Sequence, residues 1–552
     1  MRHLLYIGII CSALLGCKKK NPPTPPPPAQ LTVRSVQLNG AVIVDNAYNV
    51  SRLPLIRVEL SEAVNRSTVA ASVKLNTAAG SPSFNISYES NDAVLLIQPA
   101  SPLTALTRYN FVIENTLKSA KGGLFISTVN YNFTTQIDSS RKFPAISDDA
   151  LLTLVQQQTF KYFWDFAHPV SGLARERNTS GDVVTMGGSG FGVMSIVAGI
   201  HRGFITKQQG LTRMQTIVSF LKNNAQKFKG AFPHWMNGIT GAVVPFSAKD
   251  NGADLVETSF LMMGLLTARQ YFDGADATET NLRNDITAMY NAVEWNWFRK
   301  NNENVLYWHW SPNFGWDINL QIRGWNECLV TYVLAASSST FGIPAGVYTN
   351  GFTFNGNPPF KNGNSYYGYQ LPLGENLGGP LFFSHYSFMG INPNGLIDVN
   401  ANYLIQNKHH SLINYNYCKS NPRGYFGYSD SVWGLTASDI PNGYTASSPT
   451  NDVGVIAPTA ALSSFPYTPT ESMKALKFFY YVLGDKLWKE YGFVDAFSLK
   501  DNWFAGSFLA IDQGPIVVMI ENHRSGLLWN LFTSCPEVKN GMRALGFTAP
   551  YL

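Results

Sequence analysis

DNGADLVETSFLMMGLLTAR, residues 250–269, opens with three carboxylates and then runs as an almost uncharged apolar segment with helical spacing. Positions i, i+4 and i+7 of a helix share a face, so Asp250, Asp254 and Glu257 line one side, continued by Leu261, if the helix starts at Asp250. Acids in a first turn complement the helix dipole, which accounts for Asp250 and in part for Asp254. Glu257 then lies a full turn deeper, where the end effect has decayed and an unpaired carboxylate is costly. The stretch reads as a buried helix whose first turns carry a site.

The same period recurs on both sides. Residues 151–167, 190–205, 209–228 and 281–300 repeat it upstream and downstream, and 318–338, 399–417, 472–488 and 513–531 continue it, joined by Gly-, Asn- and Pro-rich loops. On the order of a dozen helices with little strand alternation between them make 146–552 an all-α domain. Helices that come in pairs point to an α/α toroid, with loops at one end building a cleft.

Upstream the chain changes character. Arg2 and His3 precede an apolar run too short to span a bilayer, and LLGC at 14–17 resembles the bacterial lipobox, so 1–17 is expected to be a lipoprotein signal peptide with Cys17 lipidated. Residues 18–30, KKKNPPTPPPPAQ, form a Pro-rich linker that favours a stiff polyproline spacer. This predicts a cell-envelope lipoprotein, on the periplasmic face or the cell surface, touching the membrane through its lipid anchor only. From 31 to 136, short alternating segments such as LPLIRVELSE and RYNFVIEN predict a small antiparallel β-sandwich, and their succession resembles the bacterial Ig-like domains. A charged joint, DSSRKFPAISDD, follows. The net charge of +5 without a long basic tract argues against a nucleic-acid partner. After Cys17 the widely spaced Cys328, Cys418 and Cys535 imply neither a disulfide framework nor a metal site. Oligomeric state is left open.

Candidate chemistry rests on carboxylates. Glu327 stands alone in QIRGWNECLVTYVLAAS, with Arg323 one turn earlier as a possible ion-pair partner. Asp430, Asp439 and Asp452 stand in polar, aromatic loops, Asp512-Gln513 at a helix start and Glu521 inside that helix. Trp235, Trp308, Trp310, Trp316, Trp325, Trp433 and Trp503 lie near these acids in sequence. Glycoside hydrolysis needs a protonated carboxyl for the leaving oxygen and, with inversion, a carboxylate acting on water, and aromatic faces suit sugar rings. No GxSxG, Walker, HExxH or strand-following GxGxxG motif is present, and the adjacent His409-His410 point apart on a helix.

The blocks DNGADLVETSFLMMGLL, GWNECLVTYVLAASS, GPLFFSHYSFMGINP, ANYLIQNKHHSLINYNYC, YSDSVWGLTASDIPNGY, DVGVIAPTAALSSFPY, FVDAFSL and LAIDQGPIVVMIENHRSGLLW resemble, in order, the bacterial glucoamylase-like domain. Within it the chain is most similar to glycoside hydrolase family 144, the β-1,2-glucan-degrading enzymes. The resemblance implies an (α/α)6 barrel, inverting hydrolysis of β-1,2-glucan to sophorose or short sophoro-oligosaccharides, and neither cofactor nor metal. It places the important acids at Asp250, Asp254, Glu257 and Glu327. Glu327 is the expected general acid; Asp254 or Glu257 is the expected base, with Asp452 as a loop alternative. Asp250, Trp325, Trp433, Asp439, Asp452 and Gln513 are expected to bind or position the sugar. The insert at 341–369, rich in aromatics, Gly and Asn, is expected to wall the cleft. Two other readings remain: a surface glycan-binding lipoprotein without activity, and a hydrolase of the same fold acting on another glucan.

Overall fold

Nine strands stand in two facing sheets at the start of the computed structural model, which describes residues 25–552 and divides into two units between Ile137 and Asp138. The expected signal peptide, Cys17 and the first part of the linker lie outside the described residues; 25–30 are exposed and form neither helix nor strand.

In the first unit β1 (Val33–Leu38), β2 (Ala41–Val42), β3 (Ala47–Val50), β4 (Ile56–Leu60), β5 (Val73–Asn76), β6 (Phe84–Glu89), β7 (Val94–Pro99), β8 (Arg108–Ile113) and β9 (Val129–Thr135) form sheets of order β2-β1-β4-β7-β6 and β3-β9-β8-β5. Period-2 burial builds the core: Ile56, Val58 and Leu60 of β4 and Tyr109, Phe111 and Ile113 of β8 point inward while Arg57 and Glu59 alternate outward. A short helix, α1 (Arg66–Ser72), is capped by Asn65. The sandwich is not wholly antiparallel, because β3 runs parallel to β9, with Ala47 opposite Phe133.

The second unit is helical: α2 (Asp148–Trp164), α3 (Met186–His201), α4 (Lys207–Asn223), α5 (Leu255–Tyr271), α6 (Ala277–Asn291), α7 (Leu329–Ser337), α8 (Tyr403–Ser420), α9 (Pro458–Leu462), α10 (Pro469–Lys477), α11 (Gly484–Leu487), α12 (Ala510–Ser525), α13 (Leu527–Ser534) and α14 (Pro536–Ala544). The joint belongs to this unit, since Lys142 N donates to Tyr481 O and Phe143 stacks on Tyr480. Helices α3, α5 and α12 are buried on nearly every face, whereas α4 and α6 bury one stripe each. Small residues let the buried helices touch through backbone: a Cβ on Gly264 would lie 2.1 Å from Gly190 O, and one on Gly190 2.2 Å from Phe260 O. Helix α3 thus sits between α5 and α12, with α7 beyond α5.

Two helical expectations are shortened. In 318–338 the helix begins only at Leu329, because Gln321–Ile322 pair in a ladder with Leu306–Tyr307. The run 513–531 breaks at Gly526, whose φ of +69° ends α12 and starts α13.

Candidate active site

Residues 250–254 do not enter α5. Ala253 and Asp254 pair in a two-residue ladder with Trp310 and His309, which holds them extended, and Leu255 N donates to Trp308 O. Helix α5 therefore starts at Leu255 with Asp254 as its cap: Oδ1 accepts from Val256 N (3.0 Å) and Glu257 N (2.9 Å). Glu257 lies in the first turn, not a turn deeper, and reaches sideways. Its Oε2 accepts from Gly187 N at 2.6 Å, capping the start of α3 that Thr185 leaves uncapped by its own side chain. A Cβ at Gly187 would stand 2.7 Å from that oxygen, so glycine is what admits the carboxylate.

Two imidazoles complete this wall. His234 Nδ1 lies 3.0 Å from Asp254 Oδ2 and 3.9 Å from Asp250 Oδ2, with Nε2 4.0 Å from Glu257 Oε1. His309 Nε2 lies 3.4 Å from Asp250 Oδ2 and 3.6 Å from Asp254 Oδ2, and Trp308 Nε1 donates to Asp254 Oδ2 at 3.2 Å. Burial works against charge throughout, and the outcome depends on donors. For Asp254, burial is outweighed by the His234 hydrogen bond, both imidazoles and the Glu257 amide, so its carboxyl is held below the usual range. Burial and the charge of Asp254 push Asp250 up to about 7, and burial also raises Glu257. Against burial, Glu257, Asp254 and Asp250 together lift His234 to about 9.

Glu327 occupies the turn before α7, not a helix interior. Arg323 does not pair with it; that guanidinium lies over Phe354 and donates to Gln321 Oε1 and Gly351 O. Burial pushes Glu327 up to about 7 against the pull of its own amide, and the charges of Glu257 and Asp254 add to the rise. A carboxyl so poised keeps a proton near neutrality and can donate it.

A second group of acids is linked to the first through Tyr386. That ring packs on Phe191 of α3 and Phe260 of α5, and its hydroxyl, raised by burial, feels Asp512, Tyr444, Glu327 and Glu257. Asp512 lies in the first turn of α12, and burial with the charge of Asp495 raises it strongly; burial takes Asp495 to about 7. Asp495 Oδ2 accepts from Asp439 N at 2.7 Å, while Asp439 receives Arg177 at 3.2 Å and Ser507 at 2.5 Å. Asp439 thus belongs to this second group, and Gln513, next to Asp512, donates to Phe493 O.

Other expected site residues lie elsewhere. Trp325 packs among Phe360, Phe388 and Tyr403, and Trp433, wholly buried, packs on Tyr415 and donates to Glu471 O, so both are core rings rather than sugar platforms. Asp452 is buried and accepts from Tyr428, Tyr417 and Gly454 N, which makes it a loop anchor without a free face for water. Within the 341–369 insert, Val347, Tyr348, Phe352 and Phe360 are buried and anchor the segment, while 344–345, 349–350, 357–359 and the hairpin around Tyr367 are exposed, so more of it faces solvent than core. Glu521 is tied to Arg202, Gln156 and Ser525. The open aromatic face beside the first wall belongs to Phe246, stacked on His234 at 4.2 Å, and Trp235. His234, His309, Asp495 and Tyr386 are not singled out by sequence; the HW pair at 234–235 and the WH pair at 308–309, next to tryptophans already noted, are a signal that could have found the two imidazoles.

Comparison with known proteins gives the family. A family model described as "Putative glucoamylase" matches residues 319–536 and one described as "Bacterial Ig-like domain" matches 33–135. The exo beta-1,2-glucooligosaccharide sophorohydrolase (non-reducing end) of Parabacteroides distasonis is 45% identical over 438 residues, which are 76% of this chain and 60% of that protein. The chain therefore spans about three fifths of the length of that curated relative. The endo-β-1,2-glucanase of Chitinophaga pinensis, solved with sophorotriose and glucose, is 52% identical with a TM-score of 0.72, covering 74% of this chain and 100% of that one. The β-1,2-glucanase of Parabacteroides distasonis is 37% identical with a TM-score of 0.71, covering 95% of this chain and 74% of that one. The chain belongs to the glucoamylase-like family of bacterial glycoside hydrolases that contains the β-1,2-glucanases of family 144, and it carries an N-terminal bacterial Ig-like domain.

Proposed function

We propose that this chain hydrolyses β-1,2-glucan to sophorose or short sophoro-oligosaccharides with inversion, in a helical unit closed as an (α/α)6 barrel. The observation that carries the reading is Glu327, a carboxyl raised to about 7 beside Glu257 and Asp254, in a chain half identical to an endo-β-1,2-glucanase. Glu327 donates its proton to the leaving oxygen. Asp254, whose oxygens are occupied by donors, is a poor base, and Glu257 is engaged by the Gly187 amide and adds its charge to the rise of the acid. Water is instead activated by the Asp495–Asp512 pair, which shares a proton and retains one charge. Asp250, Asp254 and Glu257 hold His234 as a cation that orients sugar hydroxyls. Cys17, as a lipid attachment point, places the enzyme in the cell envelope.

Incubation of the purified protein with linear β-1,2-glucan should yield sophorose or a ladder of short sophoro-oligosaccharides, and Glu327→Gln should abolish release. Sophorose alone marks cleavage from a chain end; a ladder marks internal cleavage. Release of products from a different glucan and none from β-1,2-glucan would overturn the substrate, and binding without turnover would overturn the activity.

A further inference from the structure

We propose that His234, His309, Asp250 and Asp254 form a tetrahedral site for a divalent transition-metal cation of the zinc class, and that filling it switches the hydrolase off. Four of the six donor–donor separations stand near the needed spacing. Zinc bonds to imidazole and carboxylate of about 2.0–2.1 Å set neighbouring donors of a tetrahedron about 3.3 Å apart. Here His234 Nδ1 is 3.0 Å from Asp254 Oδ2 and 3.9 Å from Asp250 Oδ2, while His309 Nε2 is 3.4 Å and 3.6 Å from Asp250 Oδ2 and Asp254 Oδ2. The donors of His234, Asp250 and Asp254 all fall within 4.8 Å of one another.

A second observation is independent of spacing. The Asp250 side chain is 4% exposed, its Oδ1 has no hydrogen-bond partner among the described residues, and its Oδ2 faces the two imidazoles. A buried carboxylate oxygen left without a donor is costly, and a cation bound by the Asp250 carboxylate lowers that cost. Binding displaces the proton that His234 otherwise carries, and two neutral imidazoles with two carboxylates then balance a 2+ ion. The surroundings hold the donors in place: Asp254 Oδ1 is fixed by two amides, Trp308 donates to Asp254 Oδ2, and His234 Nε2 faces Glu257 Oε1 at 4.0 Å. Four donors of mixed nitrogen and oxygen suit zinc or cobalt and not magnesium or calcium, which demand six or more oxygens. Phe246, stacked on His234 and half exposed, marks the side from which an ion enters.

The inhibitory part rests on the proposed function: an ion here occupies the wall beside Glu257 and takes Asp250, Asp254 and His234 away from the sugar. Titration of the full-length protein with Co2+ should give the intense visible absorption of a four-coordinate ion at one equivalent, displaced by Zn2+. His309→Gln and Asp250→Asn should each weaken binding at least about tenfold, and Glu327→Gln should leave it intact. Both variants are checked for a native thermal transition, and they alter different elements, so one misfolding does not remove the test. A weak six-coordinate spectrum, or full binding in both variants, would overturn the site. Stoichiometric Zn2+ should suppress release from β-1,2-glucan and EDTA restore it; a tetrahedral Co2+ spectrum with undiminished hydrolysis would overturn the inhibitory role alone. Should the protein leave β-1,2-glucan untouched, the cobalt spectrum still decides the site.

Discussion

Replacing Glu327 with Gln is expected to stabilise the protein, and by more at high pH than at low. Glu327 titrates near its ordinary 4.5 in the unfolded chain and near 7 in the folded one, chiefly through burial. Between those values the folded state holds more protons than the unfolded, so stability of the unaltered protein falls as pH rises from about 4.5 to about 7 and is level above. At 1.36 kcal/mol per pH unit the full difference is roughly 3 kcal/mol. Glu327 retains partial solvent access, which screens the penalty, so a gain of about 1–3 kcal/mol is expected at pH 8 and almost none near pH 4.5. Gln does not titrate and carries no such penalty. Urea unfolding of both proteins at pH 5 and pH 8 measures the difference, while hydrolysis by the variant should fall by at least about 10²–10⁴-fold. A variant less stable than the parent at pH 8, or a gain identical at both pH values, would show that burial does not hold this carboxyl protonated.

The kcat/KM of the parent enzyme should fall about tenfold per pH unit above about 7 as Glu327 loses its proton, and Glu257→Gln, by removing a charge that adds to the effect of burial, should move that limb to lower pH. A pH profile whose limb stays in place removes Glu257 from the field of the acid. Gly187→Ala puts a Cβ 2.7 Å from Glu257 Oε2 and should displace that carboxylate, losing a charge-assisted hydrogen bond and roughly 10–100-fold in kcat/KM with an unchanged circular dichroism spectrum; full activity would show that Glu257 can swing without consequence. Arg202→Ala strips the fully buried Glu521 of its bidentate partner and should cost about 3–5 kcal/mol in denaturant unfolding while kcat of the folded protein holds.

Much of the architecture was legible because it is local. The helical period of α3, α4, α5 and α6 is written in each segment, and Gly190 and Gly264 lie where backbones touch. What needed the structure was every feature set by residues distant in sequence. The true start of α5 depends on the ladder to His309 and Trp310, so reading 250–257 alone turns an extended segment and a cap into a helical stripe. Glu327 stood out as a lone acid before an apolar run, yet the turn that presents it follows from the pairing of Gln321–Ile322 with Leu306–Tyr307. Trp325 and Trp433 were misread because a tryptophan count does not separate a core ring from a cleft ring. Asp495 sits quietly in FVDAFSL, and only folding brings it against Asp439 and Asp512.

Four acids of this site share a position, the beginning of a buried helix, and differ in protonation. Asp254 precedes α5, Glu327 stands before α7, Glu257 and Asp512 lie in first turns. A helix dipole would favour the charged form of all of them equally. The number of donors decides instead. Asp254 has two amides, the Trp308 indole and two imidazoles within reach and is held below the usual carboxylate range despite complete burial. Glu327 has its own amide and two neighbouring negative charges and rises to about 7 as burial dominates. Asp512 shares its site with Asp495 and is raised well above the usual carboxylate range by burial and that neighbouring charge. The cleft therefore separates proton donor from anion by distributing hydrogen-bond donors unevenly among helix starts, a pattern that a rate change in Gly187→Ala and a stability gain in Glu327→Gln would report from opposite ends.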